Sequence, residues 1–445
     1  MNHKKLVYNT FLLTATSLLM SCIGMAFQVW LVGRIGSAGI GLYQLTLSVT
    51  NLLATFAISG IRFAATRLIS EELGHDNSGG IKAAMERCLG YGLFFGLAAA
   101  AILYFLAQPI GFLWIGDGRT VRSLQLSALS MPCISLCSCI SGYFTACGRV
   151  WKPSAVHLSE QLAGIALVAI CLSRAPHGDI EASCAAVTLG RLIADILSLI
   201  MMLLIYSHDR RTHYGEGEKG IRLTGRMLKI ALPLAVSAYA RSTLSTLQHL
   251  LVPKGLKEAG YSANGALSGY GTIQGMVLPI IFFPSCIMSA VAELVVPELT
   301  EAQVRKDSGE IRAVTGKLIG MSMKFSVVVA VFLFLFSDML GQGIYKSAEA
   351  GHYIRLLAPL VPIMYTDMSL DGCLKGLGQQ VWSMGINIVD AFSGLILVWW
   401  LLPKYALMAY IGIIYFTEIL NFVLSYGRLR KVLNSPLLRF WPDGE

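Results

Sequence analysis

Residues 84–107 read AMERCLGYGLFFGLAAAAILYFLA, and the charged side chains of this stretch are confined to Glu86 and Arg87. A helix of about 20 consecutive apolar residues is long enough to cross the hydrocarbon core of a bilayer. Helices in soluble proteins average only about 10–14 residues and are seldom apolar on every face. The stretch therefore predicts a membrane-spanning helix.

The same pattern recurs along the whole chain. Hydrophobic residues make up 55% of the 445 residues, charged residues make up 14%, and the mean hydropathy is +0.63. Apolar stretches of about membrane-spanning length occur at residues 7–33, 39–61, 84–107, 124–146, 152–173, 181–206, 227–252, 268–292, 313–336, 353–374, 381–402 and 406–427. The widest polar interval, from His208 to Arg226, is too short to bury the core of a soluble domain. We therefore expect an all-α, polytopic membrane protein with about twelve transmembrane helices.

The net charge of +9 does not indicate a nucleic-acid partner. Lys and Arg are scattered over the connecting loops instead of forming a basic stripe with interleaved aromatic residues. They are most frequent in the loops that face the cytoplasm if both termini lie there, as the positive-inside rule requires. The apolar run after Lys5 exceeds a signal-peptide core, so we interpret it as a retained first helix. The ten cysteines lie mostly in apolar stretches without zinc-type spacing, and no metal site is predicted.

An internal repeat divides the chain into two halves. Residues of matching type stand 230 positions apart in the pairs Gly90 and Gly320, Pro132 and Pro362, Gly142 and Gly372, Gly148 and Gly378, and Gly164 and Gly394. The repeat predicts an N-terminal six-helix lobe at 1–207, a cytoplasmic linker at 208–226, a C-terminal six-helix lobe at 227–427 and a cytoplasmic tail at 428–445. An even number of crossings gives both bundles the same orientation, an architecture typical of transport by alternating access.

Two arginines inside predicted spans are candidate ligands for a substrate. Arg62 follows Ser59 and Gly60 near the end of the second span, and Arg241 stands midway between Pro233 and Pro253 in the seventh. A charge at the bilayer centre costs about 2.5–3.5 kcal/mol, so such residues usually face a wet cavity. The alternatives are that Arg62 extends to the cytoplasmic interface and that Arg241 pairs with a carboxylate on another helix.

Two further cations extend this set, because the first helix of each half ends in one. Arg34 aligns with Lys254, so Arg34, Arg62, Arg241 and Lys254 could together line a cationic cavity. The planar guanidinium suits bidentate contact with phosphate. The sequence therefore favours an anionic phosphate or pyrophosphate headgroup as the ligand.

The repeat also places opposite charges at equivalent positions. Arg62 aligns with Glu293 and Arg67 with Glu298, which suggests an Arg–Glu gate on the cytoplasmic side that opens during transport. Residues five apart lie about 140° around a helix, so at most one such pair would face its counterpart. Independent surface charges are the alternative interpretation.

Acidic residues inside the spans point to ion coupling. Glu160 and Asp390 occupy equivalent mid-helix positions and could carry H⁺ or Na⁺, or transport could draw on the membrane potential. Two charged pairs at i,i+4 spacing, Arg191/Asp195 and Asp371/Lys375, are expected to neutralise each other locally. His157 and His249 are expected to be packing residues.

The segment LVPKGLKEAGY at 251–261, with GYG at 269–271 and VPELTEA at 296–302, resembles the stage V sporulation protein B family. GSAGIGLYQ at 36–44 and SEE at 70–72 resemble the first-lobe counterparts of these motifs. The family belongs to the multidrug/oligosaccharidyl-lipid/polysaccharide exporter superfamily. The resemblance implies two six-helix lobes in a V, a central cavity, and movement of undecaprenyl-pyrophosphate-linked sugars to the outer leaflet of the bacterial cytoplasmic membrane.

Related lipid II flippases use cavity arginines on the first, second and eighth helices. Arg34 and Arg62 match by helix, whereas Arg241 lies on the predicted seventh helix. These flippases commonly have fourteen spans, two more than are counted here, and the last pair helps to form a groove for the lipid tail. The resemblance thus implies a lipid-linked saccharide and membrane lipids as partners.

A cation-coupled multidrug exporter of the same superfamily is the alternative function. Its cationic cargo would favour acidic cavity residues, which Glu160 and Asp390 could supply and which Arg62 and Arg241 oppose. An enzyme is not expected, because the HExxH, GxxxxGK[ST] and GxSxG motifs are missing from the sequence. Without a nucleotide-binding loop, neither a nucleotide partner nor a cofactor is predicted.

Overall fold

A computed structural model describes residues 3–74, 78–176, 178–213, 223–305 and 307–434. This part of the chain contains helices and no strands, which confirms the predicted all-α class. The principal helices are α1 His3–Ile58, α2 Ile61–Gly74, α3 Ser78–Phe105, α4 Val121–Ala146, α5 Trp151–Ser173, α6 Ile180–His213, α7 Leu223–Glu258, α8 Ala263–Gly271, α9 Ser285–Val304, α10 Ser308–Leu335, α11 Ser337–Tyr345, α12 Ala348–Leu357, α13 Val361–Gly376 and α14 Gln380–Asn434.

Membrane-length helices account for most of the predicted crossings. Within the described residues, eight helical segments are long and apolar enough to span a bilayer. Two of these have 57 and 55 residues and hold two crossings each, since α1 breaks at Gly36 and α14 at Ala406. The remaining two crossings are α7, which is long but carries Arg241 and His249, and α12 with α13, which Pro359 and Pro362 divide into shorter pieces. The fold therefore has about twelve membrane-spanning helices.

The structure reproduces the internal repeat at matching positions. Helices α3 and α10 each have 28 residues, and both their first and their last residues are separated by 230 positions. Gly148 and Gly378, at the ends of α4 and α13, both have a left-handed backbone, with φ of 68° and 69°. Such angles favour glycine because it lacks a Cβ atom. The two halves therefore share local geometry as well as sequence.

Residues Leu42–Leu250 form one compact unit, called the first unit here. It contains the second segment of α1, helices α2 to α6 and most of α7. Its core includes Ile61, Leu68, Met85, Phe144 and Met202, all of which are buried. At one end of this unit the buried Asp209 accepts hydrogen bonds from Tyr143 and Lys152 and forms an ion pair with Arg149. This network ties α6 to α4 and α5.

The residues up to Gly41 and those from Leu251 onward form the second unit. Here the residues of α1 just after the Gly36 break pack against α8 at very short range. A Cβ atom on Gly41 would lie 2.1 Å from the Leu267 carbonyl oxygen, so only glycine fits. Ser37 and Ser268 share a 2.5 Å hydrogen bond, and Gln28 donates to the Gly275 carbonyl at 3.0 Å.

The predicted domain boundaries differ from the limits of these units. The proposed linker, 208–226, overlaps the end of α6 and the start of α7, and residues 214–222 lie outside the described chain. Of the proposed tail, residues 428–434 continue α14, and 435–445 are outside the description. The division into lobes at 1–207 and 227–427 stays a prediction.

Candidate functional site

A break in the backbone between α1 and α2 orients Arg62. Ser59 and Gly60 both have positive φ angles, of 44° and 70°. A left-handed serine is strained by about 1–3 kcal/mol unless its surroundings fix it. Tyr239 donates a 2.6 Å hydrogen bond to the Ser59 hydroxyl, and a 2.9 Å hydrogen bond joins that hydroxyl to Tyr91. The break is therefore held by two tyrosines, and Arg62 is the second residue of the new helix.

Helix α4 packs closely against the start of α2. A Cβ atom on Gly142 would lie 2.6 Å from the Arg62 carbonyl oxygen, and Thr66 donates to the Gly142 carbonyl at 3.1 Å. Ser135, about two turns earlier in α4, donates to the carbonyls of Ala57 and Gly92. These contacts hold the first turn of α2 against α4.

Arg62 lines a cavity of about 200 Å³ in the first unit, which we call the charged cavity. Its polar lining consists of Arg62, Ser138, Ser141, His157, Glu160, Asp195 and Ser198. The structure thus brings together two of the residues predicted to be functional, Arg62 and Glu160. Among the described residues, no carboxylate oxygen lies within 4.0 Å of the Arg62 guanidinium. The cation is available to an incoming anion.

Glu160 is held at the wall of the charged cavity by two neighbours. Ser198 donates a 2.6 Å hydrogen bond to Glu160 Oε2, and His157 Nδ1 lies 3.4 Å from the same oxygen. The carboxylate side chain remains 26% exposed. His157, which was expected to be a packing residue, is exposed and contacts this carboxylate. Glu160 is therefore accessible from the cavity, and its role in ion coupling stays a prediction.

A second charged group lies close to this cavity. Arg191 lies within electrostatic range of Tyr43, Asp195 and Glu160. Sequence reasoning treated Arg191 and Asp195 as a self-neutralising pair and missed Tyr43. The position of Arg191 deep in an apolar stretch could have marked it as a candidate site residue. Its contact with Tyr43 could not be predicted, because the two residues are nearly 150 positions apart in the sequence.

Arg241 lies at the centre of α7, with 18 residues before it and 17 after it in the helix. It is exposed, and it makes no ion pair with a described residue. Helix α7 runs beside α1 and α2 in the first unit. Thr246 donates to the Ser48 carbonyl at 3.1 Å, and Thr55 donates to Ser242 at 3.4 Å. Arg62 and Arg241 therefore belong to two adjoining helices of one unit.

Arg34 and Lys254 belong to the second unit, and both are exposed. The Arg34 guanidinium lies 5.8 Å from the centre of the Trp30 ring, a cation–π distance. That these two cations share a cavity with Arg62 and Arg241 stays a prediction.

The proposed gate residues have other partners, where they are described. Arg67 pairs with Glu71 on its own helix at 3.2 Å, and Glu71 also pairs with Arg226 at the start of α7. Glu298 is exposed. The side chain of Glu293 lies outside the described residues. The gate therefore stays a prediction, whereas the Glu71–Arg226 contact, which the sequence did not indicate, is present.

Asp390 has two acidic neighbours in the second unit. Glu418 lies within electrostatic range of Asp367 and Asp390. One oxygen of Asp367 and one of Asp390 are buried without a hydrogen-bond partner in the described structure. The described residues do not gather three carboxylates closely enough to hold a metal ion together. The nearby Asp371 is neutralised by Lys375 at 2.5 Å, which confirms that predicted pair.

Comparison with known proteins places this geometry in a family. The MatE family model matches residues 13–170 and 259–400, which together make up most of the chain. Stage V sporulation protein B of Bacillus subtilis (strain 168) is 23% identical over 432 residues, covering 95% of this chain and 83% of the relative.

Two kinds of solved structure share the fold. The lipid II flippase MurJ in its inward closed conformation aligns with a TM-score of 0.73 and 13% identity over 94% of this chain and 87% of MurJ. An inward-facing multidrug resistance MATE transporter aligns with a TM-score of 0.66 and 14% identity over 93% and 95% of the two chains. At these identities the likeness establishes the fold. The chain is a multi-pass membrane protein of the MatE family.

Proposed function

We propose that this protein is a flippase that moves undecaprenyl-pyrophosphate-linked oligosaccharide or peptidoglycan precursors across the bacterial cytoplasmic membrane by alternating access. The observation that carries the proposal is Arg62, a cation with no ion pair among the described residues, on the wall of the charged cavity. Arg241 at the centre of α7 supports it. A buried or membrane-embedded cation is costly unless a ligand or a wet cavity compensates it.

The pyrophosphate is the part of such a substrate that these side chains recognise. A guanidinium forms two parallel hydrogen bonds with phosphate oxygens, and such charge-assisted contacts are roughly twice as strong as neutral ones. The hydroxyls of Ser138 and Ser141 in the same cavity can contact the first sugar or the phosphates. Specificity for an anionic headgroup thus arises from Arg62, while the serines tolerate different saccharides.

Coupling of transport to H⁺ follows from the mixture of charges in the cavity. Ionised Glu160 and Asp195 oppose the binding of an anion beside Arg62. Protonation of Glu160 removes one of those negative charges and strengthens substrate binding, and linkage requires that substrate binding strengthens protonation equally. Asp390, with Asp367 and Glu418, is the corresponding group in the second unit.

Both termini lie in the cytoplasm in this proposal, so substrate enters from the side on which α2 ends and α3 begins. The Glu71–Arg226 contact lies at that side, next to the proposed linker.

A multidrug exporter is the second candidate. The acidic residues Glu160 and Asp195 in the charged cavity favour it, because they would attract a cationic drug. The unpaired Arg62 beside them disfavours a cation and favours an anion. The likeness to stage V sporulation protein B over 95% of the chain supports the flippase.

Analysis of co-purifying lipids tests the proposed substrate. The protein would be extracted from a bacterial membrane, and bound lipids would be identified by mass spectrometry. We expect a polyprenyl-pyrophosphate-linked saccharide with the wild type and a strong loss of it with Arg62→Ala and with Arg241→Ala. Equal recovery from both variants and the wild type would contradict the proposed binding site, and recovery of cationic amphiphiles alone would favour the exporter.

A further inference from the structure

An apolar pocket of about 420 Å³ lies in the first unit and shares no lining residue with the charged cavity. Its walls come from the second segment of α1 through Leu52 and Phe56, from the far end of α3 and the turn after it through Leu106 and Trp114, and from α7 through Tyr239. We call it the apolar pocket. No charged side chain lines it. A pocket of this size and composition takes a hydrocarbon and repels water.

An irregular turn opens this pocket, and the turn occurs in one half of the repeat. After α3 ends, residues Ile110–Ile115 form a π-helical turn, which is wider than an α-helical one. The equivalent segment after α10 is the regular helix α11. π-turns inside helices are rare and frequently occur at functional sites. The described structure thus departs from its own repeat where the apolar pocket forms.

The surroundings of the pocket are those of a membrane-facing surface. Phe105, Phe112 and Leu113 beside it are 77%, 64% and 79% exposed, an arrangement stable only in contact with lipid. Trp114 at its rim is also exposed, as expected for an aromatic residue near the membrane interface. The occupant therefore enters from the bilayer and is a hydrocarbon chain.

The pocket adjoins the cationic residues through one hydrogen bond. Phe56 and Tyr239 form part of its wall, with ring centres 5.5 Å apart, and the Tyr239 hydroxyl donates to Ser59. Phe56 precedes Arg62 by six residues, across the break at Ser59 and Gly60. On α7, Tyr239 and Arg241 are two residues apart and so point to nearly opposite faces. A lipid whose pyrophosphate binds Arg62, just after the Ser59–Gly60 break, would have its first isoprene units near the apolar pocket.

We propose that the apolar pocket binds the isoprenoid chain of the lipid-linked substrate while its headgroup occupies the charged cavity; this inference rests on the proposed flippase function. An ordinary phospholipid acyl chain is the competing occupant that the test must distinguish.

Photo-crosslinking identifies the chain that occupies the pocket. The photoreactive residue p-benzoylphenylalanine would replace Leu106 in one variant and Phe336 in another, and the full-length proteins would be reconstituted with undecaprenyl-pyrophosphate-linked saccharide and bacterial phospholipids. Phe336 stands 230 positions later, at the equivalent break after α10, and is similarly exposed at 41% against 47%. We expect the ratio of isoprenoid to phospholipid adducts to exceed the bulk ratio at least severalfold at Leu106 and to equal it at Phe336. Bulk ratios at both positions would overturn the proposal.

Binding measurements separate failure of this inference from failure of the proposed function. Leu106→Trp should fill the pocket and weaken binding of the full-length lipid about tenfold, with Phe336→Trp as the matched control. Binding of a tail-less pyrophosphate-linked saccharide should be unchanged in both variants. If the wild type bound the tail-less compound and Leu106→Trp bound the full lipid normally, the pocket assignment would be wrong while the flippase proposal stood. If the wild type bound neither compound, the proposed function itself would fail.

Discussion

Replacing Arg62 by alanine is expected to weaken binding of the pyrophosphate headgroup about 30-fold. The guanidinium lines the charged cavity and has no ion pair among the described residues that could compensate for its absence. A hydrogen bond to a charged group contributes about 1.5–3 kcal/mol. Because the cavity is open to water, we take about 2 kcal/mol, which corresponds to the factor of about 30. Arg62→Lys should recover part of this loss, since lysine keeps the charge but cannot form the bidentate contact.

Arg67 provides the matched control, because it lies five residues later in the same helix. Its side chain is 68% exposed and pairs with Glu71, which retains Arg226 as a second partner. An exposed ion pair contributes about 0–1 kcal/mol, so Arg67→Ala should change binding by less than about fivefold. The assay is titration of the purified protein in lipid nanodiscs with a tail-less pyrophosphate-linked saccharide at two salt concentrations. The reasoning is refuted if Arg62→Ala binds like the wild type or if Arg67→Ala weakens binding equally.

Three other substitutions test the structural and coupling parts of the account. In a thermal-denaturation assay, Gly60→Ala should destabilise the protein by about 1–3 kcal/mol, because φ is +70° and the new methyl would lie 2.6 Å from the Ala231 carbonyl oxygen. Gly90→Ala is the control, and it should be neutral or stabilising because nothing lies within 4 Å of a Cβ atom there. Asp209→Asn should lower the denaturation temperature markedly, since it leaves Arg149 and Lys152 without their buried partner; a drop no larger than that of the exposed Glu301→Gln would contradict this network. Glu160→Gln should make transport in proteoliposomes insensitive to a pH gradient, and an unchanged response would remove Glu160 from the coupling step.

The ends of helices and the internal repeat could be predicted from the sequence, because both depend on particular residue types at particular positions. The predicted span 39–61 agrees with the breaks at Gly36 and at Ser59–Gly60, where glycine supplies backbone angles that other residues rarely adopt. Gly148 and Gly378 were paired by their spacing alone, and they prove to have nearly identical φ angles. Breaks and repeats of this kind can therefore be recognised from glycine and proline residues at fixed positions.

The π-turn after α3 and the apolar pocket could not be predicted. Residues 110–115 are uniformly apolar apart from Gly111, and an apolar run gives no indication of whether its backbone forms α or π hydrogen bonds. The pocket further requires α7 to lie beside α1, a contact between residues nearly 190 positions apart such as Thr55 and Ser242. Sequence periodicity does not determine such long-range pairing.

Only some of the acidic residues near the candidate sites were selected from the sequence. Glu160 was selected because it is an ionisable residue inside an apolar stretch, and the structure places it beside Arg62. Asp367 and Glu418 satisfy the same criterion within the predicted spans 353–374 and 406–427, and they were overlooked. Their proximity to Asp390 depends on how α13 and the two segments of α14 pack, which pairwise spacing in the sequence does not reveal.

Transport of a lipid-linked saccharide in proteoliposomes tests the central claim most directly. The purified chain would be reconstituted with a fluorescent undecaprenyl-pyrophosphate-linked saccharide, and movement between leaflets would be followed by access of a membrane-impermeant quencher. The account predicts leaflet exchange with the wild type and at least tenfold slower exchange with Arg62→Ala. Wild-type vesicles that leave the saccharide in its original leaflet while expelling a cationic dye would contradict the account.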